Sequence, residues 1–262
     1  MLHIEPIPLL RDNYAWVIHD GAHAVIVDPS YTESDQAKQP SSILAWLDAR
    51  RILPTALLIT HHHRDHTGGR GAIATAHAVT VYGPGDSGIA GITHPVGDGD
   101  RVHLDAPRLD FSVLAIPGHT LDHLAYTLPG HLFCGDTIFS CGCGRVFEGT
   151  PEQMQRSLAR LAALPDETLI YCAHEYTLEN LAFARHIEPE HAELLAWENE
   201  ACRLRDAGKP TLPVALGDEK RRNPFLRWGD PEIQRIAQEY GATKNHDHEQ
   251  VFAAIRALKD LY

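Results

Sequence analysis

The chain has 262 residues, 44% of them hydrophobic and 22% charged, an ordinary balance for a globular protein long enough to bury a substantial core. Its formal net charge of −12 argues against a nucleic-acid partner, because binding to phosphates rests on Lys and Arg. The N-terminal MLHIEPIPLLRDNYAWVIHD lacks the basic start and apolar run of a secretory signal, and no stretch approaches the roughly 18 apolar residues of a membrane helix, so a cytoplasmic protein with no membrane partner is expected.

In chain order, short β runs come first: HAVIVDPS, TALLIT, AVTVYGPG, RLDFSVLAIPGHT, HLAYTL, HLFCGDT and TLIYCAHEY. Helical patterns fall between some of them, as in SILAWLDARR and EQMQRSLARLAAL, the latter spacing Met154, Leu158, Leu161 and Leu164 at helical intervals. After about Cys172 the β signals stop, and ENLAFARHI, HAELLAWENEACRLRDAG, PEIQRIAQEYG and HEQVFAAIRALKDLY read as helices. This places a boundary near residue 173, with a mixed domain over 1–173 and a helical one over 174–262. Cys134, Cys141, Cys143, Cys172 and Cys202 show no CxxC spacing, and a reducing compartment should keep them as thiols.

The segment LLITHHHRDHTGG concentrates donors. His61 and His63 are two apart just beyond the strand-like LLIT, so an extended backbone points both the same way and His62 the other way. Asp65 and His66 follow as the chain turns, and Gly68 and Gly69 supply flexibility for a tight backbone approach before a helix. Three more donors stand just past apolar runs: His119 after FSVLAIPG, Asp136 after HLFCG and His174 after TLIYCA. Each alone would read as a surface side chain. Together, seven donors exceed the need of one tetrahedral ion, and two ions sharing a carboxylate would use them all.

In this order THHHRDHTGG, PGHT, GDTIF and AHEYT resemble the metallo-β-lactamase superfamily, and DNYAWVI, CGCGRVFEGT, YCAHEYTLENLAFA and EKRRNPFLRW resemble its glyoxalase II branch, the hydroxyacylglutathione hydrolases. The resemblance implies a four-layer αββα sandwich with a C-terminal helical domain bordering the substrate site. It implies one metal ion on His61, His63 and His119, a second on Asp65, His66 and His174, and a bridging Asp136, with Asp65 and Asp136 the catalytic residues. His62 is left to hydrogen-bond within its loop. Asp28, closing AVIVDPS, resembles an aspartate that supports the site from behind its ligands, a plain turn residue being the other reading. The same likeness implies Arg145, Phe147, Tyr176 and Lys220 as glutathione contacts, Phe147 standing where some relatives carry Tyr.

Two adjacent cations lower the pKa of a shared water from about 15.7 toward 7 and polarise a carbonyl, which suits hydrolysis. A thioester leaves as a thiolate, with a conjugate-acid pKa of about 8.5, so departure needs little acid help. The resemblance therefore implies cleavage of S-D-lactoylglutathione to glutathione and D-lactate, the second step of methylglyoxal detoxification, by a monomer holding two divalent ions, zinc foremost, with iron or manganese as alternatives. Ser41, Ser42, Ser87 and Ser140 lack the G-x-S-x-G context of a competing nucleophile. An anionic substrate needs a basic patch, and GDEKRRNPFLR offers Lys220, Arg221, Arg222 and Arg227; by charge alone a solvated turn reads equally well. Cys141 and Cys143 suggest a soft-metal or redox role, but two cysteines without further partners make a poor site. NHDHE, His246 to Glu249, reads as a helix start capped near Asp247. The rivals are a mononuclear iron persulfide dioxygenase, which needs neither Asp65 nor His66, and a non-enzymatic metal-binding module.

Overall fold

The computed structural model describes residues 1–31, 42–85, 87–242 and 247–262; Ser41 and His246, named above, lie outside them. The chain divides into two compact units, residues 1–115 with 122–135, and residues 116–121 with 136–262. This division by packing falls elsewhere than the composition break near 173.

The first unit opens with β1 (His3–Leu9) and β2 (Asn13–His19), paired antiparallel from His3 opposite His19 to Leu9 opposite Asn13. β3 (His23–Val27) continues antiparallel, then α1 (Ser42–Arg50) crosses over to β4 (Leu53–Leu58), which runs parallel to β3. α2 (Arg64–Thr67) and α3 (Arg70–Ala76) make the next crossover, to β5 (Thr80–Pro84), and β6 (His94–Val96) closes the order β1-β2-β3-β4-β5-β6. Parallel neighbours require such crossovers, which is why helices punctuate this half of the sheet. Beneath the helices a core gathers Val17, Ile26, Ile43, Leu47, Leu57 and Ile73. The unit's second set of strands is β7 (Arg101–Asp105), β8 (Arg108–Ala115), β9 (Leu124–Leu128) and β10 (His131–Gly135), antiparallel in the order β10-β9-β8-β7. β7 alternates exposed and buried residues, the mark of a strand with one wet face.

β1, β2, β6 and β7 are additions to the runs expected from sequence. β2 is buried along its whole length and so lacks alternation, whereas Pro6 and Pro8 interrupt β1 and confine it to the sheet edge.

The second unit begins with the hairpin β11 (Ile138–Phe139) and β12 (Gly142–Cys143). α4 (Pro151–Ala162) starts at a capping box in which Thr150 and Gln153 bond reciprocally, and it buries Met154, Leu158 and Leu161 as their spacing required. β13 (Leu169–Cys172) leads to α5 (Thr177–Ile187) and α6 (Ala192–Asp206). A two-residue strand, β14 (Val214–Ala215), then returns to pair with β13, so the stretch after Cys172 is not wholly helical. α7 (Leu216–Arg222), α8 (Pro231–Glu239) and α9 (His248–Leu261) complete the chain, with Asp230 capping α8 and Asp247 capping α9, the latter as expected. Phe183, Phe225 and Phe252 form the aromatic centre of these helices, with ring centroids 5.9 and 6.0 Å apart.

Candidate metal centre

In the first unit the donors follow β4. Past β4 the chain bends at His61 and His62 before α2 carries Asp65 and His66, so His61, His63 and His66 converge within one turn of chain. The His61 ring lies 4.7 Å from that of His63 and 4.1 Å from that of His66, and His66 Nε2 is 3.5 Å from Asp65 Oδ2. One buried carboxylate sets two of these rings. Asp28 accepts from Thr60 N at 2.8 Å, from the Thr60 hydroxyl at 2.7 Å and from His66 Nδ1 at 3.0 Å. With its proton given to Asp28, the Thr60 hydroxyl can only accept at its 2.9 Å contact with His61 Nδ1. Both histidines therefore carry hydrogen on Nδ1 and a lone pair on Nε2, the arrangement a metal-binding imidazole requires. Asp28 is at once turn and support, since its backbone adopts φ 50°. Asn13 donates to Asp65 Oδ2 at 3.2 Å and to its carbonyl at 3.3 Å, fixing that carboxylate.

The chain bends at His61 and His62 instead of running extended, so the expected alternation does not hold: the His62 ring lies edge-on at 5.0 Å from His63 and 6.5 Å from His61. The partner of His62 is Asp122 at 3.0 Å on the segment before β9, not a group within its own loop. The two glycines after α2 act through space rather than flexibility. Gly68 and Gly69 both have ordinary helical angles, but a Cβ on Gly69 would lie 2.2 Å from Ser30 O.

In the second unit Asp136, just past β10, joins two imidazoles: His119 Nε2 lies 3.4 Å from its Oδ2 and His174 Nε2 lies 3.3 Å from its Oδ1. His119 Nδ1 donates to the Arg145 carbonyl at 2.8 Å, so its Nε2 again carries the lone pair. All three residues are buried. The Tyr176 ring stacks on His174 at 4.6 Å and 5°, and exposed Phe147 meets His119 edge-on at 5.2 Å. The donor chemistry of both units fits a hard or borderline divalent ion.

The cations of GDEKRRNPFLR do not form an open patch. Lys220 donates to Asp166 at 2.6 Å and to the Leu164 carbonyl; Arg221 pairs with Glu193 and Asp218; Arg227 is held by Glu188 and Asp230. Arg222 is buried against Glu219, which also accepts from Cys141 N, while Asn223 donates to the Phe139 and Gly142 carbonyls. The motif thus anchors the β11–β12 hairpin. Cationic surplus appears instead near Asp260, whose one carboxylate pairs with both Arg145 and Arg256 while Lys259 lies close by. Arg145 Nε and Arg256 Nη2 lie 3.4 and 2.9 Å from that carboxylate, and Arg256 also donates to the Cys143 carbonyl. Lys259 donates to Asn180 and sits over Phe183 and Phe225, with no carboxylate at ion-pair distance among the described residues. Burial, then Arg256, lowers its pKa to about 8. Burial raises the pKa of Cys141 and Cys143, so both stay protonated thiols, poor metal or redox groups.

Residues 9–174 match the model of the metallo-beta-lactamase superfamily, and residues 175–262 match that of the hydroxyacylglutathione hydrolase C-terminus. The hydroxyacylglutathione hydrolase of Nitrosomonas eutropha is 45% identical over 262 residues, covering 100% of both chains. This chain belongs to the hydroxyacylglutathione hydrolase family. The family's enzyme from Photobacterium profundum is 46% identical over 266 residues, again covering 100% of each. Among solved structures, ETHE1 from Myxococcus xanthus aligns over 100% of this chain and 99% of its own, with a TM-score of 0.64 and 26% identity. The fold is accordingly the αββα sandwich with a C-terminal helical region, and this family member is a metallohydrolase whose fold binds divalent metal. Among the described residues no helix is long and apolar enough to cross a membrane.

Asn13, Thr60, His123, Arg256 and Lys259 escaped the sequence reading. A residue that orients another donor, or a cation brought in by a distant helix, leaves no spacing signal of its own.

Proposed function

We propose that the chain hydrolyses S-(2-hydroxyacyl)glutathione thioesters, S-D-lactoylglutathione among them, to glutathione and a 2-hydroxy acid such as D-lactate, the second step of methylglyoxal detoxification. The observation that carries this reading is the fixed tautomer of His61, His66 and His119, each with Nδ1–H committed to an oxygen acceptor and Nε2 left to bind a cation. His61, His63 and His119 would hold one ion, Asp65, His66 and His174 the other, and Asp136 would bridge them. Two divalent ions there, zinc in this reading with iron or manganese as other occupants, would acidify a water and polarise the thioester carbonyl.

The chain's own groups supply the rest. Asp136 has an oxygen for each side, and Asp28 and Asn13 keep His66 and Asp65 from rotating. The glutathione carboxylates would meet the surplus of Arg145, Arg256 and Lys259, with Tyr176 and Phe147 flanking the peptide. Lys220 would contribute only by exchanging Asp166 for a substrate carboxylate, a swap that gains little. The leaving thiolate needs no dedicated acid, its conjugate acid having a pKa of about 8.5. Residues 1–173 then form the catalytic domain and 174–262 the helical substrate domain of a cytoplasmic monomer, and five free thiols accord with a reducing compartment.

The deciding experiment assays thioester cleavage and sulfur oxygenation on one purified sample with metal counted per chain. Thioester turnover with two ions per chain is expected. Oxygenation with a single ion, and an Asp65→Ala variant that keeps activity, would overturn the reading.

A further inference from the structure

β4 and β9 belong to different sheets, but the segment that leaves β4 with His61 to His63 meets the segment that enters β9. Leu124 N donates to the Thr60 carbonyl at 2.8 Å, the His123 ring lies flat on His61 at 4.5 Å and 15°, and Asp122 accepts from His62 Nδ1 at 3.0 Å. Each step forward on one segment meets one step back on the other. The clamp is built into the fold: His123 is fully buried, with Nδ1 donating to the Leu124 carbonyl at 3.1 Å. Gly135 leaves it room, since a Cβ there would lie 2.5 Å from the Thr60 hydroxyl and 2.8 Å from His123 Cε1.

The outermost rung has a consequence for the ligands. The chain bends at His61 and His62, which brings the His62 ring edge-on to 6.5 Å from the His61 ring, so fixing His62 limits how far its neighbours can turn. Asp122 is well placed to do that fixing, its side chain being only 12% exposed against 34% for His62. The His62 ring in turn packs edge-on against His63 at 5.0 Å and 75°, passing the constraint to the less buried donor. Unlike His61, which is held by Thr60 and stacked on His123, His63 follows this loop directly into α2.

We propose that Asp122 is a positioning residue of the metal centre, acting through His62 to hold His61 and His63 in ligating orientation. The proposal rests on the reading of those two histidines as ligands. It makes His62, the one histidine of the cluster that binds no ion, a part of the site's stiffness.

The test compares the wild type with Asp122→Ala, Asp122→Asn, His62→Ala and the double variant Asp122→Ala/His62→Ala. Zinc affinity is measured by competition with a colorimetric chelator, together with zinc stoichiometry at saturation and thermal unfolding of the metal-free proteins. Loss of a group that orients a ligand weakens metal about ten- to a hundredfold. Asp122→Ala and His62→Ala should each show that loss while still taking two ions at saturation and unfolding, metal-free, near the wild-type temperature. Asp122→Asn, whose amide oxygen can still accept from His62, should stay within about threefold of wild type, and the double variant should be no worse than either single one, as coupling through one contact requires. A wild type that binds zinc while Asp122→Ala keeps its affinity would overturn the proposal. So would a double variant whose loss is the product of the single losses, or an Asp122→Asn as weak as Asp122→Ala. A wild type that takes up no zinc would instead sink the metal reading beneath it.

Discussion

At Lys259 a largely buried ammonium sits over two phenyl rings and donates to the Asn180 side chain, and burial, then Arg256, lowers its pKa from 10.5 to about 8. The folded chain therefore holds this proton less tightly than the unfolded chain does. The stability penalty of carrying the charge is full below about pH 8 and is relieved as pH rises from 8 to 10.5, where the unfolded chain still binds the proton. A bound carboxylate opposes this, because it pairs with the charge. Cleavage of a glutathione thioester should thus weaken as pH rises through 8, with the change in KM rather than kcat, while a thioester of a small neutral thiol shows no such inflection. Lys259→Gln should remove the inflection and cost about 1.5 to 3 kcal/mol, roughly ten- to a hundredfold in kcat/KM, for the glutathione substrate alone. Equal slowing of both substrates would refute the role. At Asp136 the expected damage differs in kind: Asp136→Ala removes the carboxylate that lies beside both His119 Nε2 and His174 Nε2, so zinc content should drop at both sites and kcat should collapse for either substrate.

Among the elements, the β11–β12 hairpin depends on α7 more than on its own pairing. Two residue pairs join its strands, and Cys141 in its turn adopts φ 55°, a costly conformation for a side chain other than glycine. What offsets this is Glu219, fully buried, accepting from Cys141 N at 2.7 Å and from Arg222, with Asn223 donating to the carbonyls of Phe139 and Gly142. Removing one partner of a buried ion pair leaves an uncompensated charge, so Glu219→Gln should lower unfolding stability by about 3 to 5 kcal/mol in urea titration. Glu219→Gln combined with Arg222→Met should recover part of it. Because His119 takes its orientation from the Arg145 carbonyl just beyond this hairpin, the single variant should also weaken zinc binding. A variant that is destabilised but retains full zinc affinity would show that the hairpin does not transmit its order to the ligand.

For the molecule as a whole, metal is expected to be part of the stability. A ligand that binds the native state alone at a thousand times its Kd adds about 4 kcal/mol, which for a chain of this size is a shift on the order of 10 °C in Tm. Chelation should lower the melting temperature by that order and zinc should restore it; an unchanged Tm in protein stripped of measurable zinc would contradict this. How far the sequence alone reached follows from range. His61, His63, Asp65, His66, His119, Asp136 and His174 were legible because each stands just past an apolar run, and strand ends can be located from periodicity. The amphipathic helices and the cap at Asp247 were local in the same way, although β2 was missed because burial on both faces erases the alternation that betrays a strand. Tertiary structure decided everything that depends on which distant segment comes alongside. It neutralised the cations after Lys220 with Asp166, Glu193, Glu219 and Glu188 and left the surplus charge at Arg145, Arg256 and Lys259. It also gave His62 to Asp122, sixty positions away, and His61 to Thr60 and Asp28. A donor's chemistry is fixed by its side chain and its place by local pattern, but its tautomer, its orientation and the net charge around it belong to neighbours that only the folded chain selects.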